Sequence, residues 1–470
     1  MQANPNNSLL LAAVILVCIA GAAAAASAGL LSGGTRIAIF LFVNLILVFD
    51  VIDLIVRLWL RKLHGAATEG PAVALGLPEI SNAERALDLR PYAIIASLHD
   101  ETDALDRITA TLLPFKEAVW LIDDASSDDT LLRLRRDGWN CLPGVVNRKK
   151  PAALRHLLQT LSAEIQTVVV MDPDVSWVVA PGMERAALEQ VVSDLQRSGA
   201  AACTPRVQAR RGGWLDECQA FEYELACGLG RKSLGELCCN SGVSVYRRAA
   251  LEAALSRHSL SVYAEDFENS LLLLEMGERI YYDDRLIIQT QAKSNWKGLL
   301  SQRVGWAFGC AKVVSERLPQ IVAIARRGPL GAYQYVFYLC INGVLLLPLK
   351  LVSSGLLALS LLKALDDLLL TQWIPLRPWD EPLLFCLWYG KSTLILLLSC
   401  LAALPRGERR RHLATVPFYS FYGLLQFVPT TIGYLNLLAL RVFGRRLYAD
   451  HYDNEAGCRN RAAVASGGLA

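Results

Sequence analysis

The sequence has little charge and lacks any cysteine pattern of the metal-binding kind. Only 19% of its 470 residues are charged, while 53% are apolar. That balance is too apolar for an ordinary soluble chain and points to membrane spans. The formal net charge is only +3, and there is no Lys/Arg-rich arm with interleaved aromatics. Nucleic acid is therefore not expected as a partner. The 12 cysteines include no Cys-x-x-Cys pair and no Cys/His cluster with zinc spacing. Cys18, Cys340, Cys386 and Cys400 sit inside apolar runs, as free buried thiols in a reducing compartment do.

Four stretches are long and apolar enough to cross a bilayer: Ser8–Leu31, Ile37–Leu60, Ala332–Leu362 and Leu383–Leu404. A fifth, Leu413–Leu440, contains Pro417, Pro429 and Gly433 and reads as a broken, re-entrant or interfacial segment, or as two short spans. The leader MQANPNN has no positive charge, so the first stretch reads as an uncleaved span rather than a signal peptide. The basic segments RLWLRKLH after the second stretch and PRGERRRH after the fourth both belong on the cytosolic side. Asp53 and Arg57, one helical turn apart, are expected to pair near that face. The expected organisation is two spans in 1–64, a cytosolic domain over 65–331, further membrane or re-entrant helices over 332–442, and a short polar tail over 443–470. Within the basic loop, Arg406 and Arg410 read as topological charges.

From Pro91 onward, short β-rich runs alternate with helical patterns. YAIIASL, AVWLIDD, CLPGVV and TVVVMD are the strand candidates; Thr102–Phe115, Asp128–Arg136 and Ala152–Leu161 are the helices between them. Such alternation predicts βαβ units around a mostly parallel sheet. Ligands of such sheets bind beyond the carboxyl ends of the strands. Those ends carry His99-Asp100-Glu101, Asp123-Asp124, and Asp172-Pro173-Asp174. Alternate residues of an extended chain face the same way, so Asp172 and Asp174 suit a hard cation that also binds a diphosphate. Downstream, Glu265-Asp266 opens a helix with apolar 3.6 periodicity, and SNWKGLLSQRVGWAFG is a second helical stretch.

The order LIDDASSDDT, VVMDPDVSW, YAEDF, SQRVGW, followed by apolar helices, resembles glycosyltransferase family 2. More narrowly it is similar to the membrane-integrated cellulose, chitin, hyaluronan and poly-N-acetylglucosamine synthases. The resemblance implies a GT-A-type α/β nucleotide-sugar domain, with a mostly parallel sheet, combined with an α-helical transmembrane region. It places Asp123 and Asp124, with His99 and Glu101, at the nucleoside. Lys149 and Lys150 match a Gly-Lys-x-x-Ala-Leu stretch near the nucleotide. Asp172 and Asp174 would hold Mg²⁺ or Mn²⁺. Asp266, beside Glu265, matches the general base of Thr-Glu-Asp, with Ala264 in place of the Thr. Cys239, Asn240 and Ser241 fall on an acceptor-side stretch. Gln302, Arg303 and Trp306 match Gln-x-x-Arg-Trp, which binds diphosphate and stacks on the acceptor sugar; Gly305 stands where its second Arg belongs.

The function so implied is inverting transfer of a sugar from a UDP-linked donor to a growing polysaccharide exported through the protein's own membrane helices. The partners are then a nucleotide sugar, a polysaccharide or lipid acceptor, the bilayer, and accessory export or regulatory subunits. The location is an inner or plasma membrane of bacterial type, with the catalytic domain in the cytosol. Two alternatives stand beside it: single glycosylation of a membrane lipid, and an inactive nucleotide-sugar sensor or scaffold.

Overall fold

The computed structural model describes residues 50–64, 89–345, 366, 369, 382–404 and 406–449. The first expected span, Ser8–Leu31, lies outside them, as does most of the second and the later part of the third. The chain divides into two compact units. One comprises Arg57–Ala292 and Glu316–Val336; the other comprises Met1–Val56, Lys293–Ser315 and Phe337–Ala470.

The first of these units is built on a mixed eight-stranded sheet. Its strands are β1 (Tyr92–Leu98), β2 (Val119–Asp123), β3 (Cys141–Pro143), β4 (Thr167–Met171), β5 (Val175–Trp177), β6 (Ala202–Ala209), β7 (Val243–Arg247) and β8 (Ile280–Thr290), in the order β3-β2-β1-β4-β7-β6-β8-β5. The four strands read from the sequence pair in parallel, β3 with β2, β2 with β1 and β1 with β4. Their apolar runs suit strands covered on both faces: every residue of β4 is buried, and most of β1 is. The helices between them are α2 (Leu105–Leu112), α3 (Thr130–Arg136) and α4 (Lys150–Leu158); α1 is the helix over 50–64.

Beyond β4 the sheet is mixed: β6 and β8 still pair in parallel, but other pairs do not. β7 pairs antiparallel to both β4 and β6, and β5 antiparallel to β8. This reversal positions the site. Because β7 runs against β4, its first residue, Val243, lies opposite Met171 at the carboxyl end of β4. Gly242 therefore sits beside Asp172, and the Asp172 N–H donates to the Gly242 carbonyl at 3.0 Å. Two helices over Glu184–Ser198 (α5) and Trp214–Leu225 (α6) flank β6. After β7, α7 (Arg248–Arg257) leads to a loop over 258–264 and then to α8 (Glu265–Glu275).

Near the end of α1, the buried Arg57 guanidinium donates to Ser233 Oγ and Gln334 Oε1, each at 3.2 Å, while His64 Nδ1 lies 3.0 Å from the Ser233 carbonyl. The last two turns of α1 are thus tied to the segment that leads into Cys238–Ser241.

The second unit contains α9 (Trp296–Glu316, apart from its last residue), α11 (Pro382–Ala403), α12 (Arg406–Leu413) and α13 (Val416–Phe443); α10 (Leu318–Ala325) belongs to the first. Among the described residues, one helix, α13, is long and apolar enough to cross a membrane. The prolines and glycine of this region suggested a break, yet α13 is continuous over 28 residues with Pro429 inside. Thr430 and Thr431 turn their hydroxyls back to the carbonyls of Gln426 and Phe427, at 2.8 and 2.6 Å, in the turn around the proline. Gly433 allows a close approach of α13 to α9: a Cβ there would lie 2.6 Å from Ala307 Cβ and 2.7 Å from the Phe308 nitrogen.

The basic stretch read as a loop is the helix α12, and its Arg409 Nε donates to the Leu404 carbonyl at 2.8 Å, just past the end of α11. Nor is the start of the tail merely a polar end. Residues 444–449 fold back on the buried Asn436, whose Nδ2 donates to the Tyr448 carbonyl while its Oδ1 accepts from the N–H groups of Leu447 and Tyr448. Tyr448 joins a core with Val304 and Ile432. The described cysteines are free thiols.

Candidate active site

The carboxyl ends of β1 and β2 form one wall. Asp124 uses both carboxylate oxygens on backbone, accepting from the N–H groups of Arg148 and Lys149 at 2.8 Å each. Its carbonyl accepts from His99 Nδ1 at 2.8 Å. Asp124 and His99 therefore shape the 147–149 loop, with Asn147 Nδ2 3.2 Å from the His99 ring. The neighbouring Asp123 is the opposite case. Its Oδ2 accepts from the Ser126 N–H at 3.2 Å, but its buried Oδ1 has no partner among the described residues. A buried acceptor left in that state costs about 1–3 kcal/mol, so this oxygen is suited to a ligand N–H or hydroxyl. The N–H of Glu101 is held by Thr130 Oγ1 at 2.9 Å.

Lys150 joins two motifs that lie far apart in the sequence. Its ammonium donates to Asp172 Oδ1 at 2.5 Å and to Glu265 Oε1 at 2.6 Å. Lys149 is exposed and stands before the helix in a left-handed conformation, φ 67°. The sequence pointed Lys150 at the nucleotide; in the structure its charge lies between the first acid of Asp-x-Asp and the acid preceding Asp266. Burial drives the Asp172 carboxyl up to about 7; Lys150 opposes this shift, and Asp174 and Glu265 add to it. The Lys150 ammonium is held well above its ordinary range, because Asp172 and Glu265 outweigh the desolvation that would lower it.

Asp174 Oδ2 accepts from Thr290 Oγ1 at 3.1 Å, and the Asp174 carbonyl accepts from Arg107 at 3.2 Å. Space at Asp172 is set by Gly242, where a Cβ would stand 1.8 Å from Asp172 Oδ2. Among the described residues no group of three or more His, Cys, Asp or Glu side chains could hold a metal. Asp172 and Asp174 alone would give a cation a donor set of two carboxylates. That fits a hard cation completing its shell with phosphate and water, as Mg²⁺ does, and it does not fit a cation that needs an all-protein cage.

Asp266 lies in the first turn of α8. Burial raises its carboxyl to about 6; Glu265 adds to the shift, while Lys150 and the half-buried Arg231 oppose it. Its Oδ1 accepts from the Phe267 N–H at 2.8 Å. The Asp266 carbonyl accepts from Ser270 Oγ, which in turn accepts from the Asn240 N–H. The acceptor-side stretch is therefore bonded to the helix that carries the candidate base. Within it, Ser241 Oγ is used internally, on the Val243 carbonyl and Thr204 Oγ1, and Cys239 Sγ lies 3.3 Å from the Tyr335 hydroxyl. Both amide atoms of Asn240 are buried without a partner among the described residues, which leaves it the open polar side chain of the three.

Gln302, Arg303 and Trp306 lie on α9, in the other unit. The Arg303 guanidinium stacks 4.2 Å above the Trp306 ring, so one ring face is already covered; Trp306 is otherwise exposed.

Several contributors had no sequence signal. Arg231, Thr290 and Asn147 each act through a partner distant in the chain. A weaker signal exists in the backbone: of five non-glycine residues with positive φ, Asp100, Ala125, Lys149 and Ala264 each lie within a residue of a candidate site position.

Comparison with known proteins follows the same residues. Residues 183–403 match the model of glycosyl transferase family group 2. That interval includes Cys239, Asn240, Ser241, Glu265, Asp266, Gln302, Arg303 and Trp306; it leaves out Asp123, Asp124, Asp172 and Asp174. The chain is 26% identical over 210 residues to an N-acetylglucosaminyltransferase of Sinorhizobium fredii, covering 40% of this chain and 48% of the relative. It is 25% identical over 224 residues to an N-acetylglucosaminyltransferase of a Rhizobium species, covering 43% and 48%. The chain thus spans about half the length of the curated relatives it matches. Among solved structures, a mannosyltransferase of Pyrobaculum calidifontis in complex with GDP-Man and Mn²⁺ aligns with TM-score 0.47 and 14% identity, over 82% of this chain and 99% of that one. Glucosyl-3-phosphoglycerate synthase of Mycobacterium tuberculosis, with Mn²⁺ and UDP-glucose, aligns with TM-score 0.33 and 18% identity, over 48% and 78%. The match to glycosyl transferase family group 2 thus covers a little under half of this chain.

Proposed function

We propose that this chain is a membrane-embedded, inverting glycosyltransferase with a GT-A-type catalytic domain, using a UDP-sugar to extend a polysaccharide. The observation that carries the reading is the Lys150 bridge, which holds the Asp-x-Asp carboxylate and the Glu265-Asp266 turn in one cluster. Donor diphosphate and acceptor hydroxyl must meet within such a space. The name of the two curated relatives makes N-acetylglucosamine the first donor sugar to test.

In this mechanism an acceptor oxygen attacks the anomeric carbon, the bond from that carbon to the diphosphate oxygen breaks, and the acceptor proton passes to Asp266. The carboxylate is strong enough for this because the transition state has oxocarbenium character and the proton moves late. A divalent cation held by Asp172 and Asp174 would neutralise the departing diphosphate. Asp123 Oδ1 is assigned to a donor group of the nucleoside, and Asn240 to acceptor hydroxyls. Gln302 and Arg303 are assigned to the diphosphate and Trp306 to the acceptor by family likeness. Membrane insertion, with the basic ends of α1 and α12 on the cytosolic face, is part of the same reading.

Product analysis tests it. Purified protein in lipid, given radiolabelled UDP-N-acetylglucosamine, UDP-glucose, UDP-glucuronate and GDP-mannose, should produce long polymer from one UDP-sugar. A single-sugar lipid would favour the lipid-acceptor alternative, and no product from any donor would favour the sensor. Gly242→Ala offers a local test. Its methyl must push the Asp172 carboxylate aside, and a displacement near 1 Å costs on the order of 10² in rate. Transfer should fall by about that factor while circular dichroism is unchanged.

A further inference from the structure

Beside the candidate base lies a buried charge cluster that the mechanism above does not use. Glu268, 1% exposed, accepts at Oε1 from the Ser259 N–H at 2.9 Å and from Arg317 Nε at 2.9 Å, and the Arg317 terminal nitrogen bonds the same oxygen. Its Oε2 accepts from Ser259 Oγ at 2.6 Å and lies 3.4 Å from His258 Nε2. Arg317 also donates to the Arg257 carbonyl at 2.8 Å. The cluster therefore fastens together the end of α7, the 258–264 loop, the body of α8 and the start of α10.

His258 reaches the catalytic turn itself. Its Nδ1 accepts from the Leu260 N–H at 2.8 Å, so in the neutral ring the proton is on Nε2. Burial favours that neutral form. Nε2 lies 3.2 Å from the Glu265 carbonyl and donates to it. The turn needs such support. Ala264, at the position before α8, has φ 53° and no side chain able to cap the helix, and Leu260 earlier in the loop has φ 58°. A Ser, Thr or Asp at 264 would cap the first N–H groups; Ala264 makes no such bond, and Asp266 Oδ1 takes the Phe267 N–H.

We propose that His258, Glu268 and Arg317 are positioning residues that hold the first turn of α8, and with it Asp266, in the geometry needed for proton transfer. This inference rests on Asp266 being the base. It assigns the essential contact to the Nε2–H donation onto the Glu265 carbonyl, with Glu268 and Arg317 fixing the loop from which it is made.

The test separates the two ring nitrogens. His258→Asn keeps an acceptor near Nδ1 for Leu260 and loses the donor to Glu265; His258→Gln places an amide N–H near Nε2. With UDP-N-acetylglucosamine as donor, H258N should lower kcat about tenfold, leave KM within twofold, and add no further loss in an Asp266→Asn background. H258Q should recover most of kcat. Hydrogen exchange of peptides spanning 264–270 should quicken in H258N and not in H258Q. Equal impairment of the two variants, an unchanged kcat in H258N, or a KM that rises in step with the loss would overturn the proposal. If neither histidine variant folds, Glu268→Gln takes their place, and an unchanged kcat there overturns it equally. A dead D266N beside a fully active H258N would remove the positioning role alone; a fully active D266N would remove the base assignment and the positioning role with it.

Discussion

Asp266→Asn should lower sugar transfer by roughly 10³-fold, within the range for loss of a general base, while UDP binding measured by calorimetry stays within a few-fold of wild type. The amide keeps the shape of the carboxylate and can still accept from the Phe267 N–H, so the turn should hold. What is lost is the group that takes the acceptor proton. The pH profile gives a second reading. The carboxyl is raised from 3.8 to about 6, chiefly by burial and then by Glu265, and the deprotonated form is the active one. Activity should therefore climb as pH rises through about 6 and fall roughly tenfold for each unit below it. The residual rate of D266N should lack that limb. A variant that loses nucleotide binding while remaining folded would place Asp266 in donor recognition instead.

Lys150→Met should be the most destabilising single change near the site. Its ammonium is the shared cation of Asp172 and Glu265, and the three side chains are only 19%, 27% and 15% exposed. Removing one partner of a buried ion pair leaves charge without compensation and costs about 3 kcal/mol. For a unit of this size that corresponds to a melting temperature lower by roughly 5–10 °C. Adding Glu265→Gln should restore part of the loss, because one of the two orphaned charges is then gone. Scanning calorimetry of the single and double variants decides it: a Lys150→Met protein as stable as wild type would mean that the bridge holds little of the site together.

The two effects draw on parts of the site that were unequally legible in the sequence. YAIIASL is β1 to the residue, and the other three strand candidates and the helices between them are present with ends shifted by up to a few residues. β-branched runs and helical periods are local properties of the chain. The acids at the ends of β2 and β4 were legible for the same reason. Lys150 was visible only as a neighbour of the nucleotide, because its partners Asp172 and Glu265 stand 22 and 115 residues away. Asp124 read as an acid at the nucleoside; that both its oxygens accept from the N–H groups of Arg148 and Lys149 is a tertiary fact. The prolines of 413–440 read as breaks, since a proline's missing N–H is a local fact; the threonine hydroxyls and the packing of Gly433 against α9 are not.

By itself, the sequence determined the α/β alternation, the burial of the central strands, and the placing of acidic residues at their carboxyl ends, because side-chain period and backbone preference act within a few residues. Only the tertiary structure decided that β7 runs against β4 and brings Gly242 to Asp172, that one lysine serves two acidic motifs, and that His258 braces the turn of Asp266. Which charges meet is set by what burial removes from water, and burial exists only once the whole unit has packed.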